Sequence, residues 1–176
     1  GAVLRMARSR TGAQKMSAEC DAGRPAGEVF SDGDATAALL ERQPAVEGIT
    51  TDRSAAYLLW RYRLDHLRYR VVLAGDRLED GAVVFRLRRR GDATEAAICE
   101  VLEGRAGQRG LRAALREVAA GSDADYLLSV RSANGRVSGF VPVPKAGPVL
   151  TWKPLSTSRV PAIRGLRLQL GDVELF

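Results

Sequence analysis

The sequence predicts an α/β domain in which a mixed, largely antiparallel sheet is flanked by helices. Apolar residues make up 45% of the 176-residue chain, which is enough to bury a core and excludes a wholly disordered chain. A helical pattern is followed by three segments that alternate like strands, and then by a glycine-rich loop that opens a second helical pattern. No run approaches the ~20 apolar residues of a membrane span.

The first 34 residues are rich in Gly, Ser, Asp and Pro and poor in apolar residues. We therefore expect residues 1–34 to form a poorly structured linker or the tail of an upstream domain, and residues 35–176 to form the folded domain. A short helix over Ala35–Gln43 opens this domain. Asp34 is its expected N-cap, and Pro44 is its expected end.

A stronger helical pattern covers Arg53–His66, with Thr51 or Asp52 as the expected cap. Trp60 falls on the apolar stripe of this helix. A tryptophan on such a stripe could line a ligand groove, but it more often belongs to the core. We expect Trp60 in the core.

Three strands are expected next, joined by short polar turns as in an antiparallel meander: Tyr69–Ala74, Ala82–Arg90 and Thr94–Leu102. In the second strand one face carries Val83, Phe85 and Leu87, and the other carries Val84, Arg86 and Arg88. After a glycine-rich loop at 103–110, we expect one helix and three more strands, at Leu111–Ala120, Asp125–Val130, Gly147–Trp152 and Leu166–Leu170, with a continuation to Phe176 left open.

Three strings in this chain resemble parts of GNAT (Gcn5-related N-acetyltransferase) proteins encoded among bacterial polysaccharide-biosynthesis genes. They are residues 52–62 (DRSAAYLLWRY), 81–87 (GAVVFRL) and 170–176 (LGDVELF). The resemblance extends over about residues 51–176 and is to the second of two GNAT-like halves. It implies a GNAT fold, acetyl-CoA as co-substrate, and an amine, such as an amino sugar, as acceptor. Residues 1–10 would then be the end of an upstream GNAT domain of the same protein.

The same resemblance implies a donor site in the glycine-rich loop. In the family, acetyl-CoA lies where two parallel strands splay apart, and backbone N–H groups of the loop entering the next helix hold its pyrophosphate. A glycine-rich loop lets the main chain approach phosphates, and a helix N-terminus attracts anions. The matching residues are Arg105, Gly107, Gln108, Arg109 and Gly110, with Gln108 in the place of the family's middle glycine. A turn that merely caps a helix is the alternative.

Glu100 is the candidate general base for the amine. GNAT enzymes often use a glutamate on the third or fourth strand, and Glu100 lies on the third strand, on a face that we expect it to share with Ile98 and Leu102. Burial on an apolar face would raise the pKa of its carboxyl, as suits a base. The alternative is a structural ion pair with Arg86 or Arg88 on the neighbouring strand.

Two other functions stay open. No tyrosine follows Tyr126, so the usual acid for the leaving thiolate has no counterpart. A catalytically degenerate domain that binds the acceptor or supports its partner half is therefore the second hypothesis. The third is a basic nucleic-acid-binding module, because the net charge is +6 and Arg86, Arg88 and Arg90 share one strand face. No aromatic residue accompanies this run to stack on bases, which weakens the third hypothesis.

Two cysteines, Cys20 and Cys99, and one histidine, His66, are too few for a disulfide framework or a structural zinc site. We expect no metal, and we expect Cys99 to be a small buried hydrophobe. Arginines interrupt the first residues, so no signal peptide is predicted. A reducing, cytoplasmic location without a membrane partner is the expectation.

Overall fold

A mixed sheet forms the centre of the protein. This computed structural model describes residues 12–45, 47–130, 140–141 and 165–173. In these ranges the sheet has five strands, β1 (Arg24–Pro25), β2 (Arg70–Leu73), β3 (Gly81–Arg90), β4 (Ala93–Glu103) and β5 (Tyr126–Leu128), which lie side by side in chain order. The pairs from β1 to β4 are antiparallel, and β4 pairs with β5 in parallel. The predicted mixed, mostly antiparallel sheet with flanking helices is thus confirmed.

Helices lie on both faces of the sheet. The described helices are α1 (Ala26–Val29), α2 (Gly33–Leu40), α3 (Ala55–Tyr62), α4 (Gly107–Gly121) and α5 (Leu170–Val173), with one-turn 3-10 helices at Asp65–Leu67 and Leu78–Asp80. Helices α1, α2 and α3 pack on one face, where Leu39, Leu58 and Tyr62 meet Val84 and Leu102. We call this side the α3 face.

The opposite side, the α4 face, is covered by helix α4. Its buried residues recur at helical spacing, and they pack on the apolar face of β3 that was predicted from alternation. The contacting residues are Leu111, Ala114, Leu115 and Val118 from α4 and Val83, Phe85 and Leu87 from β3.

The prediction that residues up to 34 form a poorly structured linker is wrong for residues 24–34. Arg24 and Pro25 pair with β2, and the following Ala26, Val29 and Phe30 are almost fully buried in the core of the α3 face. The density of Gly, Asp and Pro around this segment hid the few apolar residues that anchor it.

Both early helices begin and end differently from the prediction. Helix α2 begins two residues earlier, because the N-cap is Asp32, whose Oδ1 accepts from Ala35 N at 3.0 Å. Helix α3 is capped by Ser54, whose Oγ accepts from Tyr57 N at 3.1 Å, and it ends at Tyr62.

The sequence predicted Trp60 in the core, and this prediction is wrong. Because α3 is only two turns long, its buried side is defined by Leu58, Arg61 and Tyr62. Trp60 is 62% exposed and packs beside Tyr57, with their ring centroids 5.9 Å apart.

The predicted strand at Leu166–Leu170 is wrong, because no strand forms there and residues 167–169 have no regular secondary structure. Leu166 forms a single parallel bridge with Ile49, but Leu170–Val173 is a helical turn, α5. The turn forms because an Asp172 carboxylate oxygen accepts from Gln169 N at 2.7 Å. The predicted strand at Gly147–Trp152 and the last residues, 174–176, lie outside the described residues.

A β-bulge in β4 decides which way its side chains point. Val84 pairs with Glu100 but the next residue, Phe85, pairs with Ile98, so Cys99 is an extra residue in β4. Glu100 therefore lies on the α3 face with Leu102, while Ile98 lies on the α4 face. The prediction that Glu100 shares a face with Ile98 is wrong for this reason.

Gly104 lies so close to the backbone of residues 79–81 that it should not tolerate a side chain. A Cβ on Gly104 would lie 2.3 Å from Gly81 N and 2.4 Å from Glu79 O, both backbone atoms. We expect Gly104→Ala to lower the free energy of unfolding by about 1–3 kcal/mol, as overpacking does. Urea unfolding measures this. The control is Gly33→Ala, where a Cβ meets nothing within 4 Å. An equal, small effect of both substitutions would contradict the packing at Gly104.

Candidate functional site at the bulge of β4

Glu100 is fully buried beside the bulge, and both of its carboxylate oxygens are hydrogen-bonded. Arg53 donates from Nε to Oε2 at 2.9 Å and from Nη2 to Oε1 at 3.1 Å. Tyr62 Oη donates to Oε1 at 2.9 Å. The ion pair predicted as the alternative to catalysis therefore exists, but Arg53, which precedes α3, is the partner in place of Arg86 or Arg88.

A second carboxylate, that of Asp172, joins the same arginine. Arg53 Nη2 donates to Asp172 Oδ2 at 2.8 Å, and Thr51 Oγ1 donates to Oδ1 at 2.6 Å. The side chains of Arg53, Glu100 and Asp172 are 10%, 0% and 3% exposed. One guanidinium thus links the bulge of β4 to the segment that contains Asp172.

A second buried arginine fixes the backbone of the same C-terminal residues. Arg61 donates to Gly171 O at 3.0 Å and to Tyr69 Oη at 3.1 Å, and its guanidinium lies over the Tyr62 ring. Gly171 is required at this point, because a Cβ there would lie 2.1 Å from Tyr62 Oη and 3.3 Å from Glu100 Oε1. Gly171 is therefore part of the wall that buries Glu100.

Burial sets the protonation of this cluster. Burial raises the pKa of Glu100 to about 7, although Arg53 and Tyr62 both favour its charged form. Burial alone would lower the pKa of Arg53, but Glu100 and Asp172 together raise it. Burial and the neighbouring Glu100 raise the pKa of Tyr62 above its ordinary value. Near neutral pH, Glu100 can accept or release a proton while Arg53 stays charged.

The parallel pair β4–β5 ends just before the bulge. Glu95, Ala96 and Ala97 pair with Tyr126, Leu127 and Leu128, respectively, and β5 then stops while β4 continues to Glu103. Beyond this point we call the side of β4 that faces away from β3 the β4 edge (residues 98–103).

Two glutamine side chains occupy amides of the β4 edge. Gln169 Oε1 accepts from Val101 N at 2.6 Å. Gln43 Oε1 accepts from Glu103 N at 3.1 Å, and Gln43 Nε2 donates to Glu103 O at 2.7 Å. These side-chain amides supply the bonds that a neighbouring strand would otherwise make.

The predicted glycine-rich loop at 103–110 is wrong for residues 107–110, which form the first turn of α4, and the glycine that opens this turn has free space around it. Gly107 has a φ of 56°, and a Cβ there would meet nothing within 4 Å. The N–H groups of Arg105, Ala106 and Gly107 all donate to backbone carbonyls, those of Glu79, Asp80 and Gly104, respectively. Gly110, by contrast, packs against β2, since a Cβ there would lie 2.5 Å from Ala74 O.

The side chains at the start of α4 favour an anion. The first turn of a helix normally favours acidic residues, but the first turn of α4 has none. Arg109 is exposed in this turn. Arg105 is about half exposed, with only a surface ion pair to Glu79 at 3.2 Å. Gln108 turns away, donating to Glu103 at 3.3 Å. The side chains of Arg105 and Arg109 therefore fit a pyrophosphate, and Gly107 leaves space for it, whereas Gln108 and Gly110 are engaged within the protein.

The basic run of β3 is used inside the protein. Arg86 is fully buried, donates to Lys15 O at 2.9 Å and lies over the Tyr69 ring. Arg88 and Arg90 both bind Glu95, which also accepts from Tyr126 Oη. Burial and Glu95 raise the pKa of Tyr126 to about 12. The three arginines share a face as predicted, but Arg86 is buried and Arg88 and Arg90 are paired with Glu95, so this face offers no row of exposed guanidinium groups to nucleic-acid phosphates.

Neither cysteine is placed like a nucleophile. Cys99 is buried at the bulge, its thiol directed at Ala97 O, and burial raises the pKa of the partly buried Cys20. In the part of the chain that the structure describes, no three His, Cys, Asp or Glu side chains come together as metal ligands. Among the same residues, no helix combines the length and the apolar surface needed to cross a bilayer.

Sequence reasoning missed Arg53, Tyr62, Gln43 and Gln169 as parts of this site. Arg53 and Tyr62 lie in the first string of the family resemblance, which had given them no role. A signal for Arg53 existed, because a carboxylate predicted on a buried face requires a cation from some element packed against it. The glutamines gave no signal, because their partners are backbone groups.

The pKa of Glu100 predicts a pH dependence of stability. In the folded protein it is about 7, above the 4.5 of an unperturbed glutamate, so folding takes up a proton between these values. The stability that this group contributes is present below pH 4.5 and is lost as pH rises to 7, at up to about 1.4 kcal/mol per pH unit. We expect Glu100→Gln to flatten this slope.

Urea unfolding at several pH values between 4.5 and 7 measures the slope. Glu117→Gln, at an exposed position on α4, is the matched control and should keep the wild-type slope. An unchanged slope in Glu100→Gln would contradict the assigned protonation.

The structure brings two of the three strings of the GNAT resemblance together, since Arg53 of residues 52–62 binds Asp172 of residues 170–176. The string at 81–87 supplies β3 beside them. Compared with known proteins, the chain matches no family model, no curated protein and no solved structure.

Proposed function

We propose that the chain is a GNAT-type N-acyltransferase domain that transfers an acetyl group from acetyl-CoA to an amine. The observation that carries the proposal is the end of the β4–β5 pairing at the bulge of β4, followed by the loop into α4. In the family that the sequence resembles, such a divergence of two parallel strands receives the donor. By the resemblance, this domain would be the second, C-terminal half of a two-domain protein.

Donor binding would use the β4 edge and the start of α4. An extended ligand that carries amides can pair with a strand edge as an added strand does, and the pantetheine arm of CoA carries two amides. Arg105 and Arg109 would hold the pyrophosphate through their guanidinium groups, and Gly107 would leave room for it, since a Cβ there would meet nothing within 4 Å.

The reaction needs a free amine and a protonated leaving group. The amine nitrogen attacks the thioester carbonyl carbon, a C–N bond forms and the C–S bond breaks. The amine proton goes to a base, and the thiolate takes a proton as it leaves. With a pKa near 7, Glu100 has the proton affinity of a base at neutral pH, but its oxygens reach a substrate only when Gly171 moves aside.

A second candidate function follows from the burial of Glu100. Its carboxylate is 0% exposed and engaged by Arg53 and Tyr62, which is what a purely structural ion pair requires. This favours a catalytically degenerate GNAT-like domain that binds substrate or supports a partner half. An amino sugar is the plausible acceptor class in either case, by the resemblance alone.

Calorimetric titration with acetyl-CoA tests the proposal. We expect micromolar binding that Arg105→Ala combined with Arg109→Ala weakens by tenfold or more, because two charge-assisted contacts are lost. Arg116→Ala, exposed two turns further along α4, is the matched control and should bind like the wild type. No saturable heat up to millimolar ligand, from protein shown to be folded by circular dichroism, would refute the donor site.

Release of CoA thiol separates the two candidates. With acetyl-CoA and an amino sugar such as glucosamine, the enzyme proposal predicts steady thiol release that Glu100→Gln slows by at least tenfold. Binding of acetyl-CoA without thiol release from a panel of primary amines would favour the degenerate domain.

A further inference from the structure

We propose that Gln169 occupies the donor's place on the β4 edge, so that acyl-CoA binds by displacing the C-terminal strap (residues 165–173) from Val101. This inference rests on the proposed function and identifies what competes with the donor. The carrying observation is the hydrogen bond from Val101 N to Gln169 Oε1 at 2.6 Å.

The Val101 amide lies where β4 lacks a strand neighbour among the described residues. β3 pairs with β4 along its whole length on one side, so an N–H that reaches Gln169 points to the other side. On that side β5 has already ended, at the pairing of Ala97 with Leu128. A carboxamide oxygen and a pantetheine amide oxygen are the same kind of acceptor, so either one satisfies Val101.

The strap is attached by polar contacts and by the burial of one apolar side chain, Leu170, which is 8% exposed. Ile49 exchanges backbone hydrogen bonds with Gly165 and Arg167, Arg53 binds Asp172, and Arg61 binds Gly171 O. Neutral hydrogen bonds can be exchanged for bonds to water or ligand at a small net cost. The buried Arg53–Asp172 pair and Leu170 oppose displacement, so the contacts of the donor with β4 have to offset their loss.

Displacement of the strap connects the donor site to the buried carboxylate. Gln169 and Gly171 are two residues apart, and Gly171 forms the wall over Glu100 Oε1. A donor that replaces Gln169 on Val101 therefore also loosens the cover of Glu100. The two neighbouring positions on β4 are closed by one segment of chain and open together.

Three variants test the competition by calorimetric titration with acetyl-CoA. Gln169→Ala removes the competing acceptor and should tighten binding between about twofold and tenfold, the effect of one net hydrogen bond. Gln169→Glu keeps an acceptor at Val101 and should bind no tighter than the wild type. Gln14→Ala, at an exposed position outside the site, is the matched control.

The outcomes separate this inference from the proposed function. Wild-type binding with no gain in Gln169→Ala overturns the inference and leaves the donor site standing. No binding by either protein refutes the donor site and the inference with it. Binding by Gln169→Ala alone supports both.

A measurement on the wild type covers the case in which Gln169→Ala does not fold. Hydrogen exchange followed by mass spectrometry should show the peptides that span the strap exchanging faster when acetyl-CoA is bound. Slower or unchanged exchange of these peptides in saturating acetyl-CoA would overturn the displacement.

Discussion

The extra residue at Cys99 in β4 is the constraint on which the site depends. It turns Glu100 onto the α3 face, where the carboxylate is fully buried. A buried charge of this kind is tolerated only with partners, and Arg53 and Tyr62 provide them. Because Arg53 also binds Asp172, the C-terminal residues are drawn over the same bulge.

Among the residues that the structure describes, the same stretch of β4 has no strand on one of its edges. Its amides are satisfied by side chains, with Gln169 on Val101 and Gln43 on Glu103. Gln43 closes its position with two bonds to Glu103, at the end of β4, whereas the Gln169 side chain accepts one bond, from Val101 N. The proposed donor site and its proposed competitor thus follow from one feature: β4 continues to Glu103, whereas its neighbour β5 ends at Leu128.

Local patterns predicted the sheet and its faces, because alternation along β3 depends only on strand geometry. The face of the sheet on which Glu100 lies could not be predicted, since a bulge is defined by the pairing of two strands and gives no signal in the sequence of one strand. Its partner was also missed. Arg86 and Arg88 were the nearer arginines along the sheet, but Arg88 faces Glu95, while Arg53 reaches Glu100 from 47 residues away. The burial of Val29 and Phe30 was hidden for a compositional reason, the polar residues around them.

Backbone amide chemical shifts, followed during a titration with acetyl-CoA, test the central claim most directly. If the donor lies along the β4 edge, the largest shifts occur at Val101 and at Gly107 and its neighbours, with saturation at one common affinity. Large shifts confined to other parts of the sheet, or no shifts at millimolar acetyl-CoA, would contradict the account.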